Sequence, residues 1–228
     1  MKNFKKLICI TNDGSSTIFL PDLNEYYHSK YGAVSESEHV FIKNGLYFWK
    51  KKNPNKKYCN IFEVGFGTGL NAFLTYIESK FILNTKLTYS SVEPYPLKLS
   101  EIEKLNYAKN LNDNDRVFDF IHNSKWNAPV QLSKNFTLIK NISTIQNFNI
   151  KINPDIIYFD PFCYRVQPEM WSKKIINQIV SSMSKYSVFV TFSSMKILFD
   201  SLKDLKLNVE KIPGPNKKKK MIRAIKNY

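Results

Sequence analysis

Phe62-Glu63-Val64-Gly65-Phe66-Gly67-Thr68-Gly69-Leu70-Asn71 reads as the end of an apolar strand, a glycine-rich turn and the first residues of a helix. Small residues between a strand and a helix let the backbone approach a ligand closely, and the helix start offers it unpaired N–H groups. The chain holds only seven glycines, so alternating ones here point to a binding loop rather than to chance turns. The G-x-G-x-G spacing differs from the dinucleotide fingerprint G-x-G-x-x-G, which disfavours a nicotinamide dehydrogenase.

Outward from this loop, strands predicted over residues 61–64, 87–92, 136–139, 156–159 and 188–192 are interspersed with helices over 70–79, 97–109 and about 168–184. Such alternation is the signature of a parallel α/β sheet, and Pro168 suits a first helical position. Residues 207–212 and 221–225 read as an antiparallel pair joined by a basic loop that begins Pro213-Gly214-Pro215-Asn216. At the other end, residues 7–11 and 17–20 flank Asn12-Asp13-Gly14-Ser15, which is hairpin-turn chemistry, and Pro21 closes the hairpin. Ser35-x-x-Glu38 has capping-box spacing and predicts a helix over about 37–50. The expected fold is α/β: a Rossmann-like, mostly parallel sheet with an antiparallel C-terminal strand. A small N-terminal hairpin and helix extension (residues 1–57) is expected to pack on the core formed by residues 58–228.

A chain of 228 residues suits one such domain, and 43% apolar with 14% aromatic residues suffices for its core. The formal charge of +15 favours a polyanionic partner. Lys far outnumbers Arg, which occurs only at Arg116, Arg165 and Arg223, and a Lys/Asn/Ile bias from genome composition produces the same excess. Cys9, Cys59 and Cys163 are odd in number and lack C-x-x-C pairing, so reduced thiols are expected, without a disulfide framework or zinc site. No window approaches the ~18 apolar residues of a membrane span. A soluble, cytoplasmic protein is expected.

Glu93, in Ser91-Val92-Glu93-Pro94, ends the second core strand. An acceptor-only carboxylate there can take both ribose hydroxyls of an adenosine, or simply cap the strand end. Ile156-Ile157-Tyr158-Phe159-Asp160-Pro161-Phe162 is a buried strand ending in Asp-Pro-Phe at the carboxyl edge, where α/β ligands bind. It resembles the [D/N]-P-P-[F/Y] segment of amine-directed methyltransferases; the plain alternative is an Asp-Pro turn with a core Phe. In that chemistry Asp160 accepts the hydrogen bond and proton of an amine, and Phe162 packs on a planar base. Lys217-Lys218-Lys219-Lys220 can meet RNA phosphates or be a solvated loop. His28, His39 and His122 lack metal-ligand spacing, so no metal is expected.

Glu63 ahead of the first glycine, with the G-x-G-x-G spacing, is typical of class I S-adenosylmethionine-dependent methyltransferases. Taken in order, Tyr27-His28-Ser29, Gly32-Ala33, Glu36-x-x-His39-Val40-Phe41-Ile42, E-V-G-F-G-T-G-L-N, S-V-E-P-Y-P-L, D-P-F-x-x-x-x-x-P-E-M-W, T-F-S-S and K-K-M-I-R-A cover nearly the whole chain. Together they resemble the tRNA 5-methylaminomethyl-2-thiouridine methyltransferase family, the methyltransferase half of MnmC-type bifunctional enzymes. The resemblance implies methylation of the aminomethyl group on a tRNA wobble uridine, with S-adenosyl-L-methionine as cofactor. It implies a cofactor site of Glu63, Gly65, Phe66, Gly67, Gly69, Asn71, Glu93, Asn141 and Asp160, with the adenine near Asn141. Asp160 and Phe162 would be catalytic, Tyr27, His28 and Trp171 would meet the substrate, and Lys218, Lys219 and Lys220 would hold the anticodon stem-loop. The bifunctional members carry an FAD-dependent oxidase domain, which a chain ending at Tyr228 is expected to lack together with its FAD. Asn141 stands where the family commonly has Asp, Glu38 where Arg is frequent, and Cys163-Tyr164 where Ala-Pro is usual. Asp160 and the glycines are retained, so an active enzyme is expected. The competing readings are another nucleic-acid amine (adenine N) methyltransferase and a catalytically inactive methyltransferase-like RNA-binding protein.

Overall fold

The computed structural model describes residues 4–113, 115–215 and 220–227. The N-terminal hairpin forms as its turn chemistry predicts: β1 (Leu7–Ile10) and β2 (Ser16–Leu20) pair antiparallel, and the short β3 (Glu25–Tyr26) adds to β2. A continuous helical run follows as α1 (Ala33–Ser37), a π-helical stretch (Glu38–Tyr47) and α2 (Phe48–Lys52). It starts earlier than the capping-box spacing predicts, because its first amides are capped from the hairpin turn. Ser15 Oγ accepts from Ala33 N and Val34 N, both at 3.2 Å, and Asp13 Oδ2 from Ser35 N at 2.9 Å. Ser35 therefore lies inside the first turn.

The main sheet has eight strands: β4 (Tyr58–Val64), β5 (Lys86–Val92), β6 (Pro129–Ser133), β7 (Phe136–Asn141), β8 (Ile156–Phe159), β9 (Ser187–Thr191), β10 (Asn208–Pro213) and β11 (Lys220–Lys226). Their order is β10-β11-β9-β8-β4-β5-β7-β6. The central five, β7-β5-β4-β8-β9, are parallel, while β6 closes one edge antiparallel and the β11–β10 pair closes the other. The chain leaves β4 towards β5 on one side and later returns to β8 on the other, so the crevice beyond β4 and β8 is a topological switch point.

Alternation along each strand divides the core in two. Ile61, Tyr89, Ile156, Tyr158 and Val190 face the N-terminal helix, α3 (Leu70–Ser79) and α6 (Asp115–Asn123). Phe62, Val64, Ile157, Phe159 and Phe189 face α7 (Lys173–Ser182) and α8 (Lys196–Asp204). Both faces are covered, which is why these strands read as unbroken apolar runs; each fully buried Ile or Phe contributes about 1.5–3 kcal/mol. Gly45 in the π-helical stretch lies on the sheet: a Cβ there would stand 2.9 Å from Tyr158 Cε1.

The helix predicted over 97–109 is broken into two short pieces, α4 (Leu99–Ile102) and α5 (Tyr107–Asn110). Asn106 is the cause. Its Oδ1 accepts from Ser16 N at 2.7 Å, its Nδ2 donates to Gly14 O at 2.9 Å, and its N donates to Ser16 Oγ at 2.9 Å. It is committed to the hairpin instead of the helix ladder. Likewise, the segment from Pro168 is a 3-10 turn (Pro168–Trp171), and α7 starts anew with Ser172 as its N-cap.

Candidate active site

Gly65, Phe66, Gly67, Thr68 and Asn71, from β4 and α3, share one cavity of about 1110 Å³ with Glu93 at the end of β5 and Asp160-Pro161-Phe162 after β8. Tyr27 and His28 of the N-terminal segment form its opposite wall. The loops after β4 and β8 touch at Gly65, where φ is +93° and a Cβ would stand 2.7 Å from Asp160 O. Only glycine combines that backbone with that approach.

Glu93 is held by backbone donors: Gly67 N to Oε2 at 3.0 Å and Tyr95 N to Oε1 at 2.8 Å. Burial pushes its carboxyl up, and these amides together with Lys6 pull it back. Each oxygen keeps a lone pair for a ligand hydroxyl. Asp160 Oδ2 accepts from Asn71 Nδ2 at 2.9 Å. Phe162 is fixed at both ends of its peptide: its N donates to Gln167 Oε1 at 3.0 Å, and its O accepts from Trp171 Nε1 at 3.0 Å. Its ring meets Tyr27 edge-on, centroids 5.0 Å apart. Burial, then the negative charges of Glu93 and Glu101, push the Tyr27 phenol up, so it stays a neutral donor. His28 lies between Thr17 Oγ1 at 3.3 Å and Thr68 Oγ1 at 3.5 Å, and burial holds it down to about 4, hence neutral at physiological pH.

Several residues expected at the site lie elsewhere. Glu63 is fully buried on the α3 face of β4, beneath the loop, and outside the cavity lining, so it is not placed to touch a cofactor. Asn141 ends β7, but its Nδ2 is taken by Ser91 O at 3.0 Å and Ser90 Oγ at 3.3 Å; Ser143, Thr144, Ile145 and Gln146 line that end of the cavity instead. Trp171, 1% exposed, supports Phe162 from behind and offers no face to a base. Gly69 is set back from the cavity at the start of α3, where a Cβ would meet His122 Nε2 at 2.9 Å. Phe66 packs its ring against His122 and Trp126, each 5.7 Å away, and so anchors the loop. Beneath it the buried Lys140 donates to His122 O at 2.8 Å and lies over the Trp126 ring. Burial pulls that amine down to about 8. Lys218 and Lys219 lie outside the described residues; Lys220 is exposed at the start of β11. Because β11 runs against β9, with Ile222 opposite Thr191, Lys220 stands at the carboxyl edge, on the side of the cavity.

The sequence reading missed Glu25, Tyr95, Gln167 and the Ser143–Gln146 wall. Tyr95 and Gln167 carried a signal, the first as a letter of S-V-E-P-Y-P-L and the second as a polar residue inside the Asp160-to-Trp171 motif. Glu25 closes the far side, pairing with Arg165 at 2.9 Å and accepting from Cys163 Sγ at 2.8 Å. Among the described residues no cluster of His, Cys, Asp or Glu is arranged for a metal ion, and no helix is long and apolar enough to cross a membrane.

A glycine loop after the first core strand, an acid after the second and an Asp-Pro-Phe after the fourth, on a seven-stranded frame extended by β6, have the arrangement of the class I S-adenosylmethionine-dependent methyltransferase fold. Residues 121–227 match the sequence model of a family described as S-adenosyl-L-methionine-dependent methyltransferase. The chain is 30% identical, over 87% of its length, to the tRNA 5-methylaminomethyl-2-thiouridine biosynthesis bifunctional protein MnmC of Leptospira interrogans, and covers 32% of that protein. The namesake from Hydrogenovibrio crunogenus is 25% identical over 91% of the chain, which again covers 32% of it. A crystal structure of MNMC2 from Aquifex aeolicus superposes with a TM-score of 0.79 at 22% identity, covering 98% of this chain and 70% of that one. The chain is thus similar, over most of its own length, to MnmC proteins and to the MNMC2 structure. It spans about a third of the length of the curated relatives it matches.

The residues present fit the cofactor. Gly67 lets the loop pack closely under the Tyr27 ring, from which a Cβ would stand 3.3 Å, and Glu93 presents a backbone-locked carboxylate to the cavity.

Proposed function

We propose that the protein transfers a methyl group from S-adenosylmethionine to the primary amine of a 5-aminomethyl group on the wobble uridine of tRNA, in the cytoplasm. The observation that carries this is the shared cavity, which the Glu93 carboxylate, the glycine loop, Asp160 and the Tyr27–Phe162 pair all line. The names of the relatives, all concerned with 5-methylaminomethyl-2-thiouridine in tRNA, agree with it.

Glu93 and the Gly67 amide would hold the nucleoside of the cofactor, and Ser143 to Gln146 would flank its base. Bound there, S-adenosylmethionine supplies an electrophilic methyl group on a sulfonium. Asp160 accepts a hydrogen bond from the substrate amine, which turns the nitrogen lone pair away from the carboxylate, and takes the proton that the nitrogen sheds once it has gained its fourth bond. Phe162 and Tyr27 hold the splayed-out base by its apolar faces and exclude water. Lys220 at the carboxyl edge would face the anticodon stem-loop as a point charge.

Incubating the purified protein with methyl-labelled S-adenosylmethionine and tRNA carrying or lacking 5-aminomethyl-uridine tests the proposal. Label entering only the aminomethylated tRNA is expected; equal labelling of both, or of neither, refutes it.

A further inference from the structure

Asn71 bridges two carboxyl groups. Its Nδ2 donates to Glu63 Oε1 at 3.1 Å and to Asp160 Oδ2 at 2.9 Å, so both N–H bonds of one amide are spent on acids. Asn71 begins helix α3, and Thr75 Oγ1 ties its carbonyl at 2.6 Å, which fixes the residue from the helix side. Glu63 has no exposure, and its Oε2 has no hydrogen-bond partner among the described residues. An ionised carboxylate in that position would carry charge on a buried, unpaired oxygen, whereas a carboxylic acid places a proton there.

We propose that Asn71 is a positioning residue for Asp160 and that Glu63 is its neutral counterpart. The two acids hold one negative charge between them, and it sits on Asp160. The inference rests on the amine-methylating reading of the cavity. It replaces the expectation that Glu63 and Asn71 bind the cofactor.

Burial and the charge of Asp160 favour the neutral form of Glu63. Asp160, from the end of β8, is a like charge; Tyr89 from β5 and Tyr158 from β8 are buried phenols pushed up by burial, and so remain uncharged. Ser91, Asn71 and the Tyr89 hydroxyl oppose this as hydrogen-bond donors. Burial is the larger effect and carries Glu63 up to about 8. The consequence for the site is a single full charge on Asp160, placed where a substrate amine arrives.

The test uses the whole chain. Infrared difference spectra between wild type and Glu63→Gln at pH 7 are expected to show a buried carboxylic-acid C=O stretch lost in the variant; loss of a carboxylate band instead overturns the charge assignment. Asn71→Ala is expected to lower kcat on aminomethylated tRNA at least ~10-fold while the Kd for S-adenosylmethionine, read by calorimetry, stays within about twofold. A weakened Kd with kcat intact would return Asn71 to the cofactor and sink the proposal. Asn71→Asp, which keeps the volume, is expected to raise the pH of half-maximal kcat by about one unit, because a further carboxylate now adjoins Asp160; an unmoved profile counts against positioning. Wild-type protein inert on this tRNA would refute the proposed function, and the infrared result would then still decide the protonation of Glu63.

Discussion

Replacing Glu63 by Gln converts the buried acid into a permanently neutral group of the same shape, and the effect on stability follows from linkage. In the native protein burial, then the charge of Asp160, lifts this carboxyl from an ordinary 4.5 to about 8. Its folded-state pKa therefore lies above its unfolded value, so the native state binds the proton more tightly. That contribution is fully present below pH 4.5 and is lost as pH rises through 8. At about 1.4 kcal/mol per unit, the loss approaches roughly 5 kcal/mol, a large share of the 5–15 kcal/mol that typically stabilises a domain. Glu63→Gln has no such titration. Urea unfolding followed by circular dichroism, repeated from pH 5 to about 9, should show wild type falling steadily relative to the variant. The variant should be the more stable protein at the alkaline end, although it has lost a native side chain. Parallel stability curves over this range would refute the reasoning, since they would mean that Glu63 carries the same charge folded and unfolded.

Asp160→Ala should abolish methylation, by about 10²–10⁴-fold in kcat, and leave S-adenosylmethionine binding measurable by calorimetry. Glu93→Ala removes a carboxylate held by two amides; cofactor affinity should fall about 10- to 100-fold in the same assay. Gly65→Ala sets a methyl group against Asp160 O on a backbone at φ +93°, and thermal unfolding should register a loss of about 1–3 kcal/mol together with weakened turnover. Asp13→Ala strips the cap from α1: burial resists its ionisation, but hydrogen bonds from Ser15, Ser35 and Thr11 carry the carboxyl down to about 2. The variant should lose about 1–2 kcal/mol at neutral pH, and its deficit should shrink as pH falls from 3.8 through 2.

The central frame was legible because it follows local rules. Strands buried on both faces are continuous apolar runs, and the glycine loop marks the switch from strand to helix, so β4, α3 and β8 are found where the pattern puts them. The edges were less so. β6 begins at Pro129 and is a short edge strand with only two apolar residues, Val130 and Leu132, and the helix through Asn106 broke because that side chain bonds residues some 90 positions away. Tertiary hydrogen bonds of this kind leave no periodic trace. The site divides in the same way. Gly65, Glu93, Asp160 and Phe162 were readable as strand-end residues, whereas Glu63, Asn141 and Trp171 sit in the right segments with side chains turned from the cavity. For Glu63 the strand period of two decides the matter, since it shares its face with Ile61 and not with the loop.

The cap that Asp13 and Ser15 place on the first turn of the long helix ties residues far apart in the chain into one cooperative unit. Each supports the other: a frayed hairpin strands the amides of Ala33, Val34 and Ser35, and a frayed helix takes three backbone donors from Asp13 and Ser15. Tyr27 and His28 lie on the segment between them. The wall facing the base is therefore as durable as the helix behind it, and amide exchange in this wall should track the opening of the helix instead of the faster breathing expected of a terminal arm.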